Sequence, residues 1–146
     1  MTQLHVEAEG TSRATSDAVW SLVGDADRYA EWGPWDDGGY ERPGDESGRG
    51  VGAIQWFRSG RTTSVEQIVE VEEGRRLVYV LLRGIPMRNY RAVVTLTPVA
   101  EGTHVRWSAD WDTTLLGRIV HRKLRSFYPD MMDQLIRAAD RQSLAS

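Results

Sequence analysis

Cysteine is absent from the 146 residues. That excludes disulfides, thiolate nucleophiles and every cysteine-based metal site. Lysine is almost absent as well: Lys123 is the only one, and the arginines are spread along the chain. With 18 Lys+Arg against 21 Asp+Glu the net charge is −3, so there is no basic block for nucleic-acid phosphate or anionic lipid. No apolar run approaches membrane-spanning length, and the opening MTQLHVEAEG has neither a basic n-region nor an apolar h-region. The expectation is a cytoplasmic protein. Internal repeats and low-complexity tails are also missing. The three histidines, His5, His104 and His121, match no metal-ligand spacing and fall on faces assigned to solvent. No metal or cofactor is therefore expected, and a Ser–His–Asp triad would have to recruit one of these surface histidines.

What is present is periodicity. Over Thr113–Gln142 the residues Leu116, Val120, Leu124, Phe127, Met131, Leu135 and Ala138 recur at three- and four-residue steps, one face of an α-helix. Arg118, Arg122, Arg125, Asp133, Arg137 and Arg141 take the other side. Such a helix would be roughly 45 Å long, and Pro129 predicts a kink or short break near Phe127–Pro129. Earlier in the chain the period is two. Leu4, Val6 and Ala8 alternate with His5, Glu7 and Glu9. Ser16 can cap a helix over Asp17–Val23, and Asp25 a second over Ala26–Glu31 that Gly33-Pro34 ends.

The stretch Asp36–Gly50 reads as a loop with a short edge strand at Tyr40–Arg42. Its GRGVGA runs into a strand pattern, so it is no phosphate loop. Strands follow at Val51–Arg58, Arg61–Val71, Arg75–Arg83, Tyr90–Pro98 and Thr103–Trp111. Either Ile54 with Trp56 or Gln55 with Phe57 faces inward in the first of these. The fold class is α+β: an antiparallel sheet, apolar on one face, with a long helix across it in one domain, 1–146.

Three stretches carry a family resemblance. They are Ala14-Thr15-Ser16-Asp17-Ala18-Val19-Trp20 with Asp25, Tyr29 and Trp32; Val94-Thr95-Leu96-Thr97-Pro98 with Gly102-Thr103-His104-Val105-Arg106-Trp107; and Arg76-Leu77-Val78-Tyr79. The chain resembles the SRPBCC (START/Bet v1-like) superfamily, in its polyketide cyclase/dehydrase-like branch. The resemblance implies a helix-grip fold, in which a seven-stranded sheet wraps the C-terminal helix around a cavity for an apolar small molecule. It does not fix the chemistry.

Six tryptophans call for bulky burial. Trp20, Trp107 and Trp111 either fill the core or touch a ligand; Trp32 and Trp35, flanking Gly33-Pro34, either pack or line the pocket mouth; Trp56 depends on its strand's register. Tyr79 and Tyr90 sit in inward alternations, where a buried hydroxyl needs a partner. Glu66 shares parity with Ile68. If inward, it is a carboxyl in an apolar cavity with a raised pKa; if outward, it is a solvated strand glutamate. Asp36 and Asp37 read as a solvated acidic turn. Ile85-Pro86-Met87 is an apolar turn tip that tucks in, meets a second copy, or gates the entrance. The expected cavity wall is Trp56, Tyr79, Tyr90, Trp107, Trp111, Ile119, Phe127 and Met131, with Trp32, Trp35 and Met87 near the mouth. Tyr79 and Glu66 are the only candidates for catalysis.

The leading expectation is a host for a hydrophobic, aromatic or polyketide-like molecule, as carrier, sensor or sequestering resistance protein. Its rivals are an aromatase/cyclase-type enzyme working by orientation and proton transfer, and a chaperone-activator-like interaction module. A monomer or homodimer is expected, with no nucleic-acid partner and no membrane insertion.

Overall fold

A computed structural model describes residues 2–45 and 47–145; Glu46, in the Asp36–Gly50 loop, lies outside them. The elements are β1 (Gln3–Ser12), α1 (Ser16–Val23), a 3₁₀ turn (Ala26–Arg28), α2 (Tyr29–Trp32), β2 (Asp37–Arg42), β3 (Ile54–Ser59), β4 (Thr62–Glu72), β5 (Arg76–Arg83), β6 (Arg91–Val99), β7 (Gly102–Asp112) and α3 (Leu115–Ala145). The strands form one seven-stranded sheet in the order β1-β7-β6-β5-β4-β3-β2, with every neighbouring pair antiparallel. This is the expected α+β helix-grip arrangement.

The alternations of β6 and β7 place Ala92, Val94 and Leu96 beside Val105, Trp107, Ala109 and Trp111 in the core. On the opposite face the polar residues pair across strands. Arg106 Nη2 donates to Glu7 Oε1 at 3.0 Å, and the His5 ring lies 2.7 Å from both Glu7 and Asp110. Those contacts hold Glu7 well down, to about 2, chiefly through Arg106, and raise His5. His104 joins Glu9 at 3.1 Å on the same face, and His121 bonds the backbone oxygen of His5 at 2.9 Å.

Two caps differ in detail. Thr15, not Ser16, caps α1, its hydroxyl accepting from Ala18 N at 3.2 Å; Ser16 Oγ instead meets Thr103 Oγ1 at 3.3 Å. Asp25 caps the 3₁₀ turn as expected, accepting from Asp27 N at 3.1 Å. The predicted break in α3 is absent. Helix runs through Pro129, which is exposed, as is Arg125 one turn before it, whose carbonyl loses its donor.

The phase of α3 differs from the expected stripe in its first two turns. Thr114 Oγ1 accepts from Gly117 N at 2.9 Å to start the helix, and Trp111 Nε1 donates to the Gly117 carbonyl at 3.0 Å. This turns Gly117 inward and leaves Leu116 and Ile119 at 55% and 49% exposure. From Val120 the buried line runs through Leu124, Tyr128, Met131, Leu135 and Ala139. Near the other end, Asp140 Oδ1 accepts from Ser12 Oγ at 2.7 Å and Arg13 N at 2.8 Å, fastening the helix to the end of β1.

The turn between β5 and β6 depends on one glycine. Gly84 has φ +109°, and a Cβ there would overlap the Thr63 carbonyl of β4. Gly84→Ala is expected to cost at least about 2 kcal/mol, from left-handed strain plus the forced shift of β4, and denaturant unfolding would measure it. Wild-type stability in that variant would mean that the turn can relax away from β4.

Candidate functional site

The sheet and α3 do not meet everywhere. A cavity of about 140 Å³ lies between them. β3 contributes Phe57, β4 Ser64 and Glu66, β5 Tyr79, and the chain entering β6 supplies Tyr90; α3 closes it with Leu124, Phe127, Tyr128 and Met131. Trp35, Ile85 and Met87 complete its lining. Tyr29 stacks on Phe57 at 4.5 Å between ring centres and Trp35 meets Phe127 edge-on at 5.7 Å, so the wall is largely aromatic. The Ile85–Met87 turn is held by Met87 N donating to Ile85 O at 2.8 Å, and the following Asn89 ties it to β7 by donating to Asp112 Oδ2 at 2.7 Å. Of the readings for this tip, the structure adopts the tucked one: Met87 is buried and Pro86 exposed.

The polar groups gather at one end. Glu66 is 7% exposed, and the one hydrogen bond to its carboxyl among the described residues is from Gln55 Nε2 at 3.4 Å. Gln55 stands directly across from it on β3. Burial without a cationic partner pushes the carboxyl from its ordinary 4.5 up to about 8, so it is mostly neutral at pH 7. Tyr79 accepts from Trp107 Nε1 at 3.0 Å, and its hydroxyl also interacts with those of Tyr90 and Tyr128. Tyr90 and Tyr128 share a 3.1 Å hydroxyl–hydroxyl contact. Burial raises the pKa of all three tyrosines, so they are neutral donors across the working pH range. A protonated acid and three phenols facing an aromatic wall can hold a carbonyl or phenolic oxygen, and can move a proton.

The expected site residues divide. Trp35, Tyr79, Met87, Tyr90, Phe127 and Met131 line the cavity, as does Glu66. Ile119 does not: the helix phase turns it to solvent. Trp56 does not either, because Gln55 and Phe57 are the inward pair of β3, and Trp56 lies on the other face against Val65. Trp107 and Trp111 are packed solid at 1% and 0% exposure behind the wall. Trp32 is buried at the end of α2, its Nε1 donating to Leu22 O at 3.2 Å. Tyr29, Phe57, Ser64, Leu124 and Tyr128 were not foreseen. Leu124 and Tyr128 are one helical turn apart on the buried line, a spacing that was readable. Gln55 was readable only through the register of β3.

A larger depression of about 330 Å³ lies outside the grip, between α1 and the 43–52 loop. It is walled by side chains of both signs, among them Asp25 and Arg49 at 3.6 Å. Its acids Asp45 and Glu73 are exposed, whereas Glu66 is buried with no cation paired to it among the described residues.

Residues 3–140 match the family model described as polyketide cyclase/dehydrase and lipid transport. The chain belongs to that family. No curated protein matches the sequence. Among solved structures, the Zhui aromatase/cyclase from a Streptomyces species superposes with a TM-score of 0.82 at 14% identity, over 97% of this chain and 96% of that one. A Thermobifida fusca protein gives 0.74 at 25% identity, over 97% and 95%. A Nitrosospira multiformis protein gives 0.77 at 19%, over 97% and 99%. These likenesses establish a shared fold along the full chain. Among the described residues no helix is long and apolar enough to cross a membrane.

Proposed function

We propose that the protein binds a compact aromatic molecule bearing a carbonyl or phenolic oxygen, ring against Phe57, Trp35 and Phe127, oxygen toward Glu66 and the tyrosine hydroxyls. The observation that carries this reading is Glu66 itself. A carboxyl buried in an aromatic cavity with one long hydrogen bond is costly to the fold, and a ligand oxygen supplies the partner it lacks. The volume sets the scale. About 140 Å³ is near the roughly 150 Å³ that holds a benzene ring; larger ligands require Met87 or Phe127 to swing outward.

The test is a titration with indanone, a compact aromatic ketone, followed by tryptophan fluorescence. Because the Glu66 pKa is raised, its O–H donor is present below about pH 8 and lost above it. Affinity is expected to hold up to about pH 7 and to fall about tenfold by pH 9, the loss of roughly 1.4 kcal/mol of donor interaction. In Glu66→Gln, which always donates, the profile should be flat. A fall unchanged in Glu66→Gln would assign the pH effect elsewhere.

One observation favours a second reading, an acid–base enzyme of the cyclase/dehydratase kind: a carboxyl titrating near 8 is suited both to give and to take a proton. If so, the protein should dehydrate the β-hydroxy ketone precursor of benzylideneacetone, read by the product's absorbance. Glu66→Gln would then abolish turnover while retaining binding. Binding without turnover in the wild type leaves the host description standing.

A further inference from the structure

Scattered in sequence, the bases of the first half of α3 are collected in space. From Thr113 to Pro129 there is no acidic residue, while Arg118, Arg122, Lys123 and Arg125 are all exposed and make no ion pair among the described residues. Arg88, on the turn whose Ile85 and Met87 line the cavity, is likewise exposed and outside the ion pairs among the described residues. On a net-negative protein this is a local excess of positive charge. Apolar side chains that the fold does not cover stand among the bases. Leu115 is 78% exposed, with Leu116 and Ile119 about half exposed. At 100° per residue Leu115, Ile119 and Arg122 point directly away from the sheet, with Arg118 and Arg125 on one flank and Leu116 and Lys123 on the other. Between Leu115, Leu116 and the Ile85–Arg88 turn runs an apolar groove of about 450 Å³. It shares Ile85 and Met87 with the cavity.

From this we infer that the start of α3 and the Ile85–Arg88 turn dock on an anionic lipid surface, leucines and isoleucine in the acyl boundary and bases among the headgroup phosphates. A bilayer fits better than an acidic protein. The apolar residues project from a convex helix face with bases on both flanks, the pattern of an interfacial helix. Docking would set the groove against the lipid and give an apolar molecule a dry route past Met87 to Glu66. That route rests on the small-molecule reading; the docking itself does not.

The test is co-sedimentation with vesicles of phosphatidylglycerol and phosphatidylcholine, compared with phosphatidylcholine alone. Binding to the anionic vesicles only is expected, and weakening as salt rises. At about fivefold per base, Arg118→Glu with Arg122→Glu should weaken it more than about thirtyfold. Leu115→Ser with Ile119→Ser should weaken it at unchanged charge. Both pairs are exposed and should leave the fold and indanone titration in solution unchanged, so loss of docking and loss of ligand binding are read separately. Absence of binding to anionic vesicles at low salt, as an acidic protein partner would give, overturns the inference; so does equal binding by the charge-reversed variant.

Discussion

Glu66→Gln is expected to stabilise the protein at neutral and alkaline pH while leaving it nearly unchanged in acid. The carboxyl is held up to about 8 in the fold, against an ordinary value of 4.5. Between those values the native state keeps a proton that the unfolded chain has released, so stability falls as pH rises through the window. Each pH unit is worth about 1.4 kcal/mol. Relative to the glutamine variant, the wild type should lose about 3 kcal/mol by pH 7 and about 5 kcal/mol above pH 8, with little difference below pH 4. Urea unfolding of the two proteins across pH measures this directly. Parallel profiles would mean that Glu66 reaches water in solution, and that the cavity is wetter than its lining indicates.

Trp107→Ala should be among the most damaging single substitutions, at about 4 kcal/mol. Trp107 is 1% exposed, meets Tyr29 edge-on at 6.2 Å between ring centres, and gives its indole N–H to Tyr79. Removing it opens a void behind the cavity and frees the hydroxyl that it orients. Trp107→Phe keeps most of the packing and loses the hydrogen bond, so about 1–2 kcal/mol is expected. Thermal or denaturant unfolding separates the two. A Trp107→Ala variant of wild-type stability that had lost only ligand affinity would contradict the assignment of this residue to the core and return it to the pocket wall.

The contrast among the tryptophans shows where sequence reasoning ran out. Alternation put Trp107 and Trp111 on the inward face of β7, and that is where they are. Inward residues at the centre of a sheet fill the core; only where the sheet curves away from the helix do they border space, and alternation carries no information on curvature. In β3 the two candidate pairs each held one large apolar ring, so the period alone did not choose. Pairing of Gln55 with Glu66 across β3 and β4 goes with the inward position of Phe57, and leaves Trp56 outside. In α3 the apolar residues Leu115, Leu116 and Ile119 blurred the phase, because the first two turns carry apolar residues that the sheet does not cover. Glu66 was visible as a parity match with Ile68. Its isolation from any cation was not, since that depends on which charges six other strands bring near it.

The central claim is that the gap between sheet and helix receives an aromatic molecule. Filling that gap tests it most directly. Ser64 faces the cavity from β4 and is 9% exposed, so Ser64→Phe would place a ring where the ligand's ring should lie. Indanone titration of wild type and variant, with folding of both checked by circular dichroism, is the measurement. Saturable binding by the wild type and its loss in a folded Ser64→Phe protein is the predicted result; equal binding by both, or none by the wild type, would contradict it.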